Sequence, residues 1–191
     1  MSKTKIPLEE AFEIAIGYTY KLSPFCYHNK CKVAGSIRRE VPIVGDIEII
    51  CKPKPTVTPD MFGGDPKETY LIYDAIKKTF AGMQFVQDGP RKKMILLPDG
   101  LQVEILLVLP PAQWGYKLSL ATGPADWNKY LVTRKCSGGA FPETHYAKDG
   151  AIYTFKNELV KMDSEERYYE FLGIPWVKPQ DRVPPETWVP F

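Results

Sequence analysis

The sequence predicts an α+β protein: a mixed sheet with helices on one face, followed by a smaller α/β portion. Three observations lead there. A run of helical period opens the chain, residues 46–50 alternate polar and apolar like a half-buried strand, and Asp99-Gly100 between two apolar runs marks a tight hairpin. At 191 residues there is room for one domain or two small lobes.

Taken in order, Pro7-Leu8-Glu9-Glu10 opens a helix, since proline suits the first turn and the two acids favour the positive end of the helix dipole. Leu8, Phe12, Ala15 and Leu22 then form its expected core stripe. A short β-prone run follows and ends in Gly35-Ser36. A turn carries Arg38 and Arg39, and the strand Asp46-Ile47-Glu48-Ile49-Ile50 comes next. Strand side chains alternate between faces, so Asp46 and Glu48 project together while Ile47, Ile49 and Cys51 face the other way. Paired carboxylates repel unless a cation lies between them. With hard oxygen donors and no nearby histidine, the suited ion is Mg²⁺ or Mn²⁺. Just upstream, a Gly-Ser turn lets backbone N–H groups and a hydroxyl approach phosphate, and the two arginines can pair with the same oxygens. Alone, an Asp-x-Glu on a strand more often marks a solvated face.

Residues 52–66 are too rich in proline and glycine for regular structure and read as a surface loop. Helical spacing of Leu71, Ile72, Ala75, Ile76 and Phe80 predicts a helix over 67–80, stopped by Gly82 and covering one face of the sheet. Residues 85–108 read as two strands joined at Asp99-Gly100. Arg91, Lys92 and Lys93 on the first are a DNA or phosphate contact, or simply a basic turn flank. Glu104 is the one charge in the apolar second strand, where burial is costly without a partner. A β-like run ends at Thr122-Gly123, and helical spacing resumes through Trp127, Tyr130, Leu131 and Arg134. Short β pieces fill 138–155. Asp163, with Glu166 three residues on, predicts a capping box for a helix that stops at Gly173, and a proline-rich extended tail follows.

No apolar run could span a bilayer, and the start resembles no signal peptide, which predicts a cytoplasmic, nuclear or viral setting without membrane partners. The formal charge of +2 predicts weak, salt-sensitive nucleic-acid binding unless the positive charge gathers on one face. Four cysteines without a CxxC pair imply neither a disulfide framework nor a zinc ribbon. Cys26-x-His28-x-x-Cys31 offers ligand types for zinc but no fourth ligand nearby, so reduced thiols are the expectation.

The string from Gly35-Ser36 through the basic spacer to Asp46-Ile47-Glu48-Ile49 resembles the nucleotidyltransferase palm, most closely that of family X DNA polymerases, the DNA polymerase beta family. The resemblance implies that Asp46, Glu48 and Glu104 are the catalytic, metal-binding carboxylates. It implies that Gly35, Ser36 and Arg39 hold the triphosphate, and that Lys5 stands where the family has an arginine on that phosphate. Thr122-Gly123 is similar to the motif under the nucleotide sugar, and Asn128 matches an asparagine at the minor-groove edge of the incoming nucleotide. Arg38, Arg91, Lys92, Lys93 and Arg134 are the candidate DNA contacts. The implied protein is a monomeric Mg²⁺-dependent (or Mn²⁺-dependent) enzyme that adds nucleotides from a triphosphate to a primer–template or gapped duplex, filling gaps in DNA repair. Residues 1–115 would form the palm and 116–191 the thumb, similar to minimal viral members without the lyase and fingers regions.

Three departures qualify that expectation. Leu120 and Ala121 replace the usual aromatic pair that excludes ribose, Val132 stands where a basic residue probes the template, and the second and third acids are Glu rather than Asp. Two alternatives therefore stay open: a template-independent nucleotidyltransferase acting on nucleic acid or another acceptor, and an inactive nucleotide- or DNA-binding module.

Overall fold

The computed structural model describes residues 4–58 and 67–188. Along the chain it contains β1 (Ile6–Pro7), α1 (Leu8–Leu22), β2 (Cys26–Val33), α2 (Gly35–Arg38), β3 (Ile43–Val44), β4 (Asp46–Pro53), β5 (Thr56–Thr58), β6 (Lys67–Thr69), α3 (Ile72–Thr79), β7 (Gln84–Asp88), β8 (Lys92–Leu96) and β9 (Gln102–Leu107). There follow α4 (Trp114–Thr122), α5 (Ala125–Val132), β10 (His145–Lys148), β11 (Ala151–Thr154), β12 (Leu159–Val160) and α6 (Glu165–Leu172). The chain divides into two compact units, Met1–Val33 with Ile43–Leu107, and Ala34–Pro42 with Val108–Phe191. This division differs from a cut at 115/116, because α4 runs through that point and because residues 34–42 belong to the second unit.

The first unit is built on a five-stranded sheet of order β2-β4-β9-β8-β7. β4 and β9 are parallel and the other pairs antiparallel, which is the mixed sheet the sequence predicts. Ile47, Ile49, Cys51, Val103, Ile105 and Ile95 are buried. α1 packs against β2, β4 and α3, and Tyr18 meets Phe80 with ring centroids 4.5 Å apart.

Several expected elements shift. The core stripe of α1 is Ala11, Ala15 and Leu22, whereas Phe12 is 50% exposed. Phe12 stands one residue, about 100°, round the helix from the small alanines that allow close packing. Residues 67–69 pair with β5 as strand β6, so the helix starts only at Ile72. The loop expectation for 52–66 thus fails at its start, where β4 runs to Pro53 and β5 follows, and its remainder, residues 59–66, lies outside the described residues. The stretch 85–108 is three strands rather than two, because β7 turns back into β8 before the Asp99-Gly100 hairpin begins.

The second unit packs Tyr116, Trp127, Leu131, Phe141, Tyr168 and Leu172 into one apolar cluster. Residues 117–121, expected as β-like, belong to helix α4. Trp114, Leu118 and Thr122 are buried at intervals of four, a helical period that the Leu-Ser-Leu alternation disguises. The turn expected around Arg38 is the short helix α2. α6 is capped by Ser164 rather than Asp163: Ser164 Oγ accepts from Arg167 N–H at 3.2 Å, and the helix ends at left-handed Gly173. Nor is the tail simply extended. It makes a 3-10 turn at Pro179–Asp181 and buries Arg182 and Trp188.

Candidate active site

The predicted carboxylates come together through strand register. In the parallel β4–β9 pair, Asp46 lies opposite Gln102 and Glu48 opposite Glu104. Neighbours in register show the same face, so Asp46, Glu48 and Glu104 share one surface of two adjacent strands. All three are half-buried, while Ile47, Ile49, Val103 and Ile105 between them are buried on the other face. Lys92 of β8 joins that surface and places its Nζ 2.6 Å from Glu104 Oε2. A cation thus already neutralises one of the three acids. For a divalent metal the donor chemistry fits: oxygen ligands only, on two paired strands. Elsewhere, the sulfurs of Cys26, Cys31 and Cys51 all lie within 4.8 Å of one another.

Lys5 is exposed and immediately precedes β1, whose Ile6 pairs with Val44, so it flanks the approach to Asp46. Lys93 points to the opposite face from Lys92. It is only 7% exposed, pairs with Asp88 and lies over the Tyr73 ring at 5.1 Å, which makes it a structural side chain. Arg91 is exposed at the start of β8, where its carbonyl accepts from Leu107 N–H at 2.9 Å.

The remaining candidates lie in the second unit. Gly35 takes a φ of +59° that favours glycine, and the chain then enters α2. Ser36 Oγ is buried without a hydrogen-bond partner. Arg38 and Arg39 diverge in what they do. Arg38 makes a two-pronged ion pair with Glu165, 3.1 and 2.7 Å, and donates to Thr122 Oγ1. Arg39 donates to the Thr122 carbonyl oxygen. Thr122 Oγ1 also donates to the Leu118 carbonyl at 2.7 Å, so this residue ties both arginines to the end of α4. Gly123 follows at φ +68°, and a Cβ there would stand 2.9 Å from Arg39 Nη1. Asn128 Nδ2 donates to Leu120 O at 2.6 Å, while its Oδ1 is buried and unpaired. Trp127 is core: its indole N–H donates to Tyr169 Oη at 2.9 Å. Arg134 donates to the Glu143 carbonyl at 3.0 Å on the surface.

Sequence reasoning missed Glu165 and Arg182. Glu165 is 3% exposed and accepts from Arg38, from Arg182 at 2.7 Å and from Trp176 Nε1 at 3.3 Å. Burial pushes its carboxyl up, but the hydrogen bond from Arg38 and the charges of Arg182 and Arg38 outweigh burial and hold it below the usual range. The available signal was weak. Glu165-Glu166 looks like an ordinary acidic first turn, and the partner arginine lies 127 residues earlier.

A mixed five-stranded sheet with helices, followed by a second α/β unit, is a fold that this chain shares with polymerase beta. Among solved structures, the chain is similar to polymerase beta of Leishmania infantum, solved as a ternary P/T complex. The TM-score is 0.66 and the identity 18%, over 95% of this chain and 77% of that one. Neither a protein-family model nor a curated protein matches the sequence. Among the described residues, no helix is long and apolar enough to cross a membrane.

Proposed function

We propose that this protein is a nucleotidyltransferase, and more narrowly a DNA-directed DNA polymerase of the family X type that fills short gaps in duplex DNA. The observation that carries the reading is the Glu48–Glu104 register, which sets three carboxylates on one face of a rigid parallel pair in this fold. The buried, unpaired Ser36 Oγ and Asn128 Oδ1 add support, since both belong to residues expected to meet a nucleotide.

In this reading Asp46, Glu48 and Glu104 would hold Mg²⁺, which when bound would supply Lewis-acid activation of the triphosphate and of the primer 3′-hydroxyl. Glu104, here paired with Lys92, would accept the hydroxyl proton. Gly35 N–H, Ser36 Oγ and Lys5 bind triphosphate oxygens. Arg39, tied to the Thr122 carbonyl, adds a fixed positive charge on the same phosphates, so that in-line attack expels pyrophosphate. Arg38 is a positioning residue, because its guanidinium is committed to Glu165 and Thr122.

The test is primer extension across a one-nucleotide gap with each dNTP and rNTP separately, in Mg²⁺ and in Mn²⁺. Addition directed by the template base, and lost in Asp46→Asn, supports the polymerase. Addition indifferent to the template moves the reading to a template-independent transferase. No addition under either metal leaves a binding module.

A further inference from the structure

The structure gathers three of the four cysteines that the sequence disperses. β2 and β4 run antiparallel with Cys31 directly opposite Cys51, yet Cys26 lies opposite Pro53. The step from Cys26 to Cys31 on β2 therefore matches only the two-residue step from Pro53 to Cys51 on β4. The surplus bulges outward, with Asn29 left-handed at φ +56°. That bulge brings Cys26 back beside Cys31. All three Sγ atoms lie within 4.8 Å of one another, and those of Cys31 and Cys51 are 3.4 Å apart. Sulfurs around a tetrahedral Zn²⁺ with Zn–S bonds of about 2.3 Å stand about 3.8 Å apart, so the cluster is already near ligand spacing.

The surroundings suit a cation. The thiols of Cys26 and Cys31 point at the carbonyls of Leu22 (3.5 Å) and Thr19 (3.6 Å), at the negative end of the α1 dipole. A soft cation bound there would displace the protons of all three thiols. A cleft of about 350 Å³, lined by His28, Asn29 and Lys54, opens on Cys26 and Cys31 and leaves room for a fourth ligand. Cys51 lies on the face of β4 opposite Asp46 and Glu48, so this cluster is separate from the carboxylate surface.

We propose that Cys26, Cys31 and Cys51 form a binding site for a thiophilic d10 cation, with Zn²⁺ as the occupant, its fourth position facing the cleft. The ion would pin the bulged edge strand β2 to β4 and to the end of α1, and so act on stability rather than on nucleotidyl transfer. A packing-only cluster does not need a bulge to recruit its third sulfur. A simple redox pair would need only Cys31 and Cys51.

The test uses the full chain, reduced and stripped of metal, titrated with Co²⁺ as a spectroscopic probe and then with Zn²⁺. The expected result is one Co²⁺ per chain, with a thiolate-to-cobalt charge-transfer band and the visible bands of a tetrahedral centre, displaced by Zn²⁺. Zn²⁺ also protects three thiols from alkylation and raises the melting temperature. Cys26→Ser and Cys31→Ser each weaken binding by roughly a hundredfold, while Cys136→Ser leaves it unchanged. These variants are preferred to Cys51→Ser because Cys51 lies wholly inside the core. Absence of the charge-transfer band in the wild type, equal metal binding in Cys31→Ser, or a Cys31–Cys51 disulfide persisting under the same reductant with Zn²⁺ present would each overturn the proposal.

Discussion

The carboxylates of the first unit and the carboxylate of the second use the same chemistry in opposite ways. Glu165 is sealed from solvent, with donors from two arginines and an indole around its oxygens. Asp46, Glu48 and Glu104 are only partly buried on a strand surface, and the cation on Glu104 is Lys92, whose side chain is 35% exposed. A charge that holds the fold must be desolvated and paired, because leaving it unpaired would cost several kcal/mol. A charge that receives a ligand must stay accessible and exchangeable. In the proposed reading, the contrast sorts acids that build from acids that bind.

The sharpest way to break this sorting is Glu104→Gln. Its neutral amide keeps the shape but loses one negative ligand, so nucleotide addition should fall by roughly a thousandfold, about 4 kcal/mol of barrier. The melting temperature should move little, since the amide fills the same space and the Lys92 partner it loses is open to water. A variant that unfolds instead would place Glu104 among the structural acids. Glu165→Ala should do the reverse. Removing it strands the buried Arg182 guanidinium and unpairs the partly buried one of Arg38, with an expected loss of about 3 kcal/mol of unfolding free energy in a urea titration. A mild effect there would mean that Arg38 is free to serve the nucleotide or the DNA.

Acid should reveal the same difference. The Glu165 carboxyl is held below its ordinary value of 4.5, so it binds its proton less readily folded than unfolded. Its stabilising contribution is therefore fully present above that value and is lost as the pH falls through the lower, folded-state value. Chemical denaturation of wild type and Glu165→Gln, followed downward through and well below the ordinary value of 4.5, should give curves that converge as the pH falls. Parallel curves would show that the pairing does not shift the proton.

What could be read from the sequence follows the same division. The alternation at 46–50, the Asp99-Gly100 turn and the Gly173 stop are local signals, and each appears where expected. The shared face of Asp46 and Glu48 was legible because a strand of period two leaves no choice. That Glu104 joins them depends on a parallel pairing across more than fifty residues of chain, which local pattern does not encode; the resemblance to the family supplied it. The cysteine cluster was hidden for two reasons, a bulge that spoils the strand period and a third member on another strand. Arg38 sits inside a motif whose neighbour Arg39 has the same chemistry, so the sequence alone does not tell their contacts apart. Only the tertiary partner Glu165 separates them.

The smallest expected effect tests the one residue that belongs to both readings. Lys92 pairs with Glu104, yet it was also a candidate DNA contact, and its side chain is 35% exposed. An ion pair so open to water contributes at most about 0.5 kcal/mol to stability, so Lys92→Met should barely shift the melting temperature. If Lys92 only holds the place of the metal, its removal spares Mg²⁺ a competitor, and half-maximal activity should need a few-fold less Mg²⁺ with DNA affinity unchanged. If it contacts a DNA phosphate instead, affinity should fall alike for all sequences and the salt dependence should drop by about one unit in log–log slope. Metal titration and salt titration on the same variant give opposite answers. A single lysine thus decides whether the carboxylate surface is closed by the protein's own charge or left open for the nucleic acid to complete.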